Sequence, residues 1–118
     1  MNIVNQAPET ISSIQGIISK IQNKSVDAET IIEDTRRLIS EIDGAIKAWQ
    51  TLNWDDVSKQ LEFLVSRQNW RSLPLASVPI AVKDVYDTAD FVTTYGSTIY
   101  ENHRPLTDAK LVAILRSI

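Results

Sequence analysis

The side chain with the clearest chemical potential is Lys83, which follows directly on the apolar run Ile80-Ala81-Val82 and precedes Asp84. An amine drawn into a desolvated site prefers its neutral form, with a pKa lowered by about 3–5 units on full burial, and can then serve as a general base. The same position also suits a lysine at a strand end that reaches solvent or pairs with Asp84 or Asp87. Physics alone favours the second reading, because lysines are seldom buried. His103 is the single histidine, and an imidazole titrating near about 6.5 suits acid–base work. Between Asn102 and Arg104, however, it reads as a solvated loop residue. Asp84, Asp87 and Asp90 crowd a turn-rich stretch but lack the glycine and spaced glutamate of a calcium loop. With no cysteine in the chain, a thiolate nucleophile and a cysteine-ligated metal site are excluded, and we expect neither metal nor cofactor.

The elements that must hold Lys83 follow from hydrophobic spacing. Ile11, Ile14, Ile17, Ile18 and Ile21 recur at helical intervals after Pro8, which predicts a first amphipathic helix weakened slightly by Gly16. A second helix is expected to open at Ser25 as N-cap, with Asp27 and Glu29 in its first turn. It carries Ala28, Ile31, Ile32, Thr35, Leu38, Ile39 and Ile42 on one face and ends at Gly44. Ala45–Thr51 reads as an extended connector or edge strand. Asn53 offers a cap for a third helix, with Trp54, Val57, Leu61, Leu64 and Val65 as its stripe and an end near Gln68–Trp70. Trp49, Trp54 and Trp70 are read as packing residues rather than a binding face.

Beyond residue 70 the pattern changes. Leu73–Pro79 is turn-prone, Ile80-Ala81-Val82 has strand character, and Phe91–Tyr95, closed by Gly96, suggests a second strand. Thr107 is the expected cap of a last helix with Leu111, Val112, Leu115 and Ile118 inward. The expected architecture is therefore α/β: N-terminal helices over 1–70, then over 71–118 the first strands, a loop and a helix of a sheet-containing core. Two or three strands cannot shield the apolar faces of these elements, so the fold should be incomplete on its own.

Composition narrows the function classes. The 118 residues are 43% hydrophobic and 23% charged, as in folded globular chains, and the net charge is -3. No basic face emerges, so neither nucleic acid nor an anionic membrane is an expected partner. Met1–Pro8 lacks the pattern of a signal peptide, and no run approaches the roughly 20 apolar residues of a membrane span. A cytoplasmic chain is expected. Nothing in repeats or linker composition divides it into two domains.

The ordered stretch Leu73-Pro74-Leu75-Ala76-Ser77-Val78-Pro79-Ile80-Ala81-Val82-Lys83-Asp84, followed by Asp87-Thr88-Ala89, Thr93-Thr94-Tyr95-Gly96-Ser97 and Asp108-Ala109, resembles the N-terminal part of the amidase signature family. The helical region from Ser25 to Gln68 is similar more loosely, including Ile46-Lys47-Ala48-Trp49. Two departures stand out: Ser77 occupies a position where the family usually has glycine, and Asp90 and Val92 replace the Gly and Pro often seen before the Thr-Thr pair.

The resemblance implies an α/β/α mixed-sheet domain, of which residues 1–118 are the N-terminal part. It also implies hydrolysis of an amide C–N bond by a Ser–cis-Ser–Lys triad. Lys83 matches the base that deprotonates the bridging serine, and an acyl-enzyme and an oxyanion loop belong to the same scheme. The chain has three glycines and no Gly/Ser-rich loop after Lys83, so both serines and the oxyanion loop are expected elsewhere. Ser97 falls in the family's Gly-Ser turn and Ser117 on the last helix; neither has the surroundings of a nucleophile. The expected partner is the missing C-terminal amidase portion, a complementary chain, or a second copy, with a small-molecule amide as substrate once the site is completed. The alternative is a non-catalytic helical module that binds a partner protein.

Overall fold

Ser13 starts the first described helix: its side chain accepts a hydrogen bond from the Gly16 N–H at 3.1 Å, meeting one of the donors that a helix start leaves unpaired. A computed structural model describes residues 13–118 of the chain; Pro8 and Ile11, used above to place the first helix, lie outside them. Helix α1 (Ile14–Gln22) turns Ile21 fully inward. Its end is closed by Ser25, whose backbone N–H and hydroxyl both reach the Lys20 carbonyl. Ser25 therefore finishes α1 rather than capping the next helix. Helix α2 (Ala28–Ile46) begins where the Asp27 carbonyl takes the Ile31 N–H, and it buries Ala28, Ile31 and Ile39.

Gly44 does not stop α2. The left-handed residue is Lys47, at φ 53°, because Ala45 and Ile46 sustain the helix and one interior glycine costs only about 1 kcal/mol. The expected edge strand at 45–51 is likewise not formed: Ala45 and Ile46 are helical and residues 47–53 are irregular. Helix α3 (Trp54–Ser66) starts directly after Asn53 with Asp55 and Asp56 in its first turn. Trp54, Val57, Leu61, Leu64 and Val65 are all half-buried, as their spacing requires. A left-handed Asn69 (φ 59°) and a single 3-10 turn at Trp70–Ser72 follow.

The chain forms two units. The first comprises Met1–Ile46 and Trp54–Pro79. Its core sets Ile21 and Ile31 against Ala76, with Ile17, Val26, Trp70 and Leu73 packed around them. Arg71 is a fastener of this unit. Its guanidinium donates to the Ile21 carbonyl at 3.0 Å, pairs with Asp27 at 3.3 Å, and lies 4.4 Å from the centre of the Trp70 ring. One position in this unit is unfavourable. Ser77 is the third residue of the turn closed by the Val78 N–H onto the Leu75 carbonyl, and it has φ 61°. That is the left-handed region where glycine is the comfortable residue. Its hydroxyl is buried and makes no hydrogen bond.

The second unit comprises Lys47–Asn53 and Ile80–Ile118, and here the expected α/β class fails. Among the described residues there are four α-helices and two 3-10 turns but no strand. The reason lies in where the backbone donors go. Pro79 has none to give, the Val85 and Tyr86 N–H groups turn back onto the Lys83 carbonyl, and the Phe91 N–H closes a turn onto Thr88. The Thr94 N–H is taken by a carboxylate, and Tyr95 and Gly96 adopt positive φ. Phe91–Tyr95 keeps too few donors for a ladder, and the Ile80, Ala81 and Val82 N–H groups meet no partner backbone among the described residues, whatever the β-propensity of either segment. Helix α4 (Lys110–Ser117) is headed by Ala109 rather than Thr107, and it turns Val112 inward while Leu111 and Ile118 stay exposed. Among the described residues, no helix is long and apolar enough to cross a membrane.

Candidate functional site

Lys83 lies in the second unit at the start of a loop that carboxylates fasten. Its carbonyl accepts from the Val85 and Tyr86 N–H groups at 2.7 and 3.1 Å, so the chain folds sharply back immediately after it. Its side chain is exposed, and among the described residues no carboxylate stands within ion-pairing distance of it. The pairing with Asp84 or Asp87 that the sequence allowed is not made, because both carboxylates are committed to other donors.

Asp84 is the chief anchor. One carboxylate oxygen accepts the Thr94 N–H at 2.7 Å and the other accepts the Thr94 hydroxyl. The Thr94 Oγ1 in turn accepts the Gly96 N–H at 3.2 Å. A charged acceptor holding two donors of one residue is among the stronger local clamps available, and it closes the loop from Lys83 to Gly96. Asp87 accepts the Tyr95 hydroxyl through its side chain, and the Ala109 N–H through its carbonyl at 2.8 Å. Asp90 takes Arg116 on both oxygens at 2.8 Å, while Asp108 takes Arg116 Nε at 2.9 Å and the Ala89 N–H at 2.8 Å. The acidic cluster that sequence spacing singled out is thus a set of loop fasteners. Among the described residues, no group of three acidic or histidine side chains could hold a metal ion.

His103 is exposed but not isolated. Its ring stacks at a tilt against Tyr95 (5.7 Å between centres) and meets Tyr100 edge-on (5.9 Å), and its Nε2 lies 3.4 Å from the Tyr95 hydroxyl. Its carbonyl accepts the Thr93 N–H at 2.9 Å. The hydrogen bond to Asp87, followed by desolvation and the Asp87 charge, raises the Tyr95 pKa above its ordinary value. Sequence reasoning missed this cluster, since nothing local to Tyr95 points eight residues ahead. The two serines considered as nucleophiles are both occupied structurally. Ser97 Oγ accepts the Ile99 N–H at 3.3 Å, capping the 3-10 turn Thr98–Tyr100, and Ser117 donates to the Ile114 carbonyl at 2.7 Å.

The loop that carries Lys83 can also be placed by comparison. The family model described as Amidase matches residues 30–118, which includes Lys83 and its fasteners. The chain belongs to the amidase family. Among curated relatives, this amidase chain is 34% identical over 116 residues to the A subunit of the glutamyl-tRNA(Gln) amidotransferase of Lactobacillus gasseri, covering 98% of the chain and 22% of that relative. Against the counterpart from Lactobacillus johnsonii the identity is 33% over 116 residues, with the same coverage of 98% and 22%. Against that of Bacillus licheniformis it is 30% over 95 residues, 78% of the chain and 19% of the relative. The amidase chain therefore spans about a fifth of the length of the curated relatives it matches. No solved structure matches it.

Proposed function

We propose that this chain contributes the lysine base of an amide-hydrolysing Ser–cis-Ser–Lys centre whose two serines reside on polypeptide beyond these 118 residues. The observation that carries the reading is the position of Lys83 inside the segment matched to the amidase family, on a loop closed by Asp84 and Thr94. In this reading the neutral Nζ takes a proton from the bridging serine, which takes one from the nucleophilic serine as that oxygen attacks the amide carbonyl. The C–N bond then breaks, the amine leaves with a proton, and water releases the acid from the acyl-enzyme. Lys83 is exposed within this chain, so the desolvation that favours a neutral amine must come from the added polypeptide.

Residues 1–118 are, on this proposal, the N-terminal part of one amidase domain acting in the cytoplasm. The names of the relatives describe them as subunits of an amidotransferase, which supports work in a multi-chain assembly.

The test is complementation. The chain is combined with a polypeptide supplying the remaining part of an amidase, and amide hydrolysis is measured with Lys83, Lys83→Ala and Lys83→Arg. Loss of a general base costs about 10²–10⁴-fold in rate, and arginine cannot replace it because its guanidinium does not deprotonate. Wild-type rates with Lys83→Ala would refute the proposal.

A further inference from the structure

Lys83 is held from one side only. Its side chain is exposed and makes no ion pair among the described residues, and upstream the Ile80, Ala81 and Val82 N–H groups meet no partner backbone among those residues. The bonds that fix residue 83 lie after it. Its carbonyl accepts the Val85 and Tyr86 N–H groups at 2.7 and 3.1 Å, and Asp84, the next residue, is bound through both carboxylate oxygens to Thr94. Asp84 and Thr94 are half-buried, whereas Lys83 and Val85, on either side of Asp84, are exposed.

Thr94 is the firm end of this attachment. Its carbonyl accepts the Ser97 N–H at 2.9 Å, its Oγ1 accepts the Gly96 N–H at 3.2 Å, and the preceding Thr93 is buried with its N–H on the His103 carbonyl. The Thr94 hydroxyl is used twice, as donor to Asp84 and as acceptor from Gly96. A hydroxyl can fill both roles at once, and a methyl group fills neither.

We infer that Thr94 is a positioning residue for Lys83, acting through Asp84: it fixes the backbone from which the lysine reaches the bridging serine. The inference rests on the proposed function for the role of the lysine itself. Proton transfer needs the base within hydrogen-bond reach of the proton it takes, and a misplacement of about 1 Å can cost on the order of 10²-fold in rate. A lysine has a flexible four-carbon stem, and here no side-chain partner and no upstream ladder narrows its reach. The charge-assisted clamp of Asp84 on two donors of Thr94 supplies that restraint.

The experiment compares Thr94→Val, which keeps the shape and removes the hydroxyl, with Thr94→Ser, which keeps the hydroxyl. In the full 118-residue chain, hydrogen exchange at the Val85 and Tyr86 amides should quicken at least about tenfold in Thr94→Val and stay near wild type in Thr94→Ser. The Leu73 amide, bonded to the Trp70 carbonyl in the first unit, is the control and should not move in either. The chain is then combined with the part of the Lactobacillus gasseri relative that it does not match. In that assembly Thr94→Val should lower kcat at least about tenfold and leave KM within about twofold, because the lysine acts on the serine rather than on bound substrate. Thr94→Ser should restore kcat. In a Lys83→Ala background Thr94→Val should cost nothing further, whereas a merely structural role would add a second loss. Unchanged exchange at Val85 and Tyr86, a Thr94→Val assembly with the wild-type kcat, or additive losses in the double variant would each overturn the inference. Faster exchange with no lysine-dependent hydrolysis would uphold Thr94 as the anchor of residue 83 and sink the catalytic proposal. Lysine-dependent hydrolysis that survives Thr94→Val at full rate would do the opposite.

Discussion

Replacing Ser77 by glycine should make the chain more stable, by an amount that can be worked from two faults at one residue. The backbone fault is φ 61° on a residue with a Cβ, which costs about 1–2 kcal/mol relative to an unstrained conformation. The side-chain fault is a buried hydroxyl, at 6% residue exposure, without a hydrogen-bond partner, worth about 1–3 kcal/mol. Glycine removes both faults and returns about 0.5–1 kcal/mol through the greater freedom of its unfolded chain. The net expectation is a gain of about 1–4 kcal/mol. Alanine keeps the Cβ and loses only the hydroxyl, so stability should rise in the order Ser, Ala, Gly. Urea denaturation followed by circular dichroism reads this directly. With a slope of about 1–2 kcal/mol per molar, the midpoint for Ser77→Gly should move up by roughly 0.5 M or more. A Ser77→Gly midpoint at or below wild type would refute the reasoning. Equal midpoints for Gly and Ala would remove the backbone share of it. The turn requires a conformation that residues other than glycine occupy at a cost.

Other expectations follow from the fasteners. Arg71→Ala should destabilise the first unit by about 1–2 kcal/mol, through loss of the hydrogen bond to Ile21 and the stacking on Trp70. Arg71→Lys should not restore it, since a lysine lacks the planar fork; the urea midpoints of the two variants check this. Asp84→Ala should free the Thr94 N–H and hydroxyl, at a cost of about 2–3 kcal/mol for a charged acceptor with two donors. Hydrogen exchange that stays unchanged at Thr94 would count against the clamp. Tyr95 should ionise above the ordinary tyrosine value of 10.0 in an ultraviolet absorbance titration, and Asp87→Asn should bring its transition back toward that value. Because its folded pKa is raised, the stabilisation from this hydroxyl is fully present below the unfolded pKa and fades as pH climbs through the folded one.

The legibility of the sequence differed by element. The isoleucine spacing of α1 and α2 and the stripe of α3 were readable because helical periodicity is local and repeats over many residues. Their ends were less so. Ser25, Gly44 and Thr107 each had the right chemistry for a boundary, but the boundaries fell at Asp27, Lys47 and Ala109, where the backbone bonds were settled by neighbouring segments. The segments at Ile80–Val82 and Phe91–Tyr95 misled for a different reason. β-Propensity describes side chains that suit a sheet, whereas a strand also needs a partner backbone; Ile80–Val82 meets none among the described residues, and around Phe91–Tyr95 donors are spent on turns and on Asp84. At the candidate site, Lys83 was visible through its ordered motif. The role of Asp84 was not, since its partner Thr94 lies ten residues away and only the fold brings the two together.

The interrupted make-up of the two units has a consequence for how the molecule can be made and rearranged. Residues 47–53 belong with 80–118, although in sequence they fall between two helices of the other unit. On a ribosome these seven residues emerge well before the segment they associate with, and they must wait while α3 and the Trp70 turn are synthesised. Neither unit can then be cut out or exchanged as one continuous stretch. A truncation at Pro79 would leave 47–53 without its companions, and a piece starting at Ile80 would lack them, so recombination should preserve the whole interval from α1 to α4 as a single inherited block.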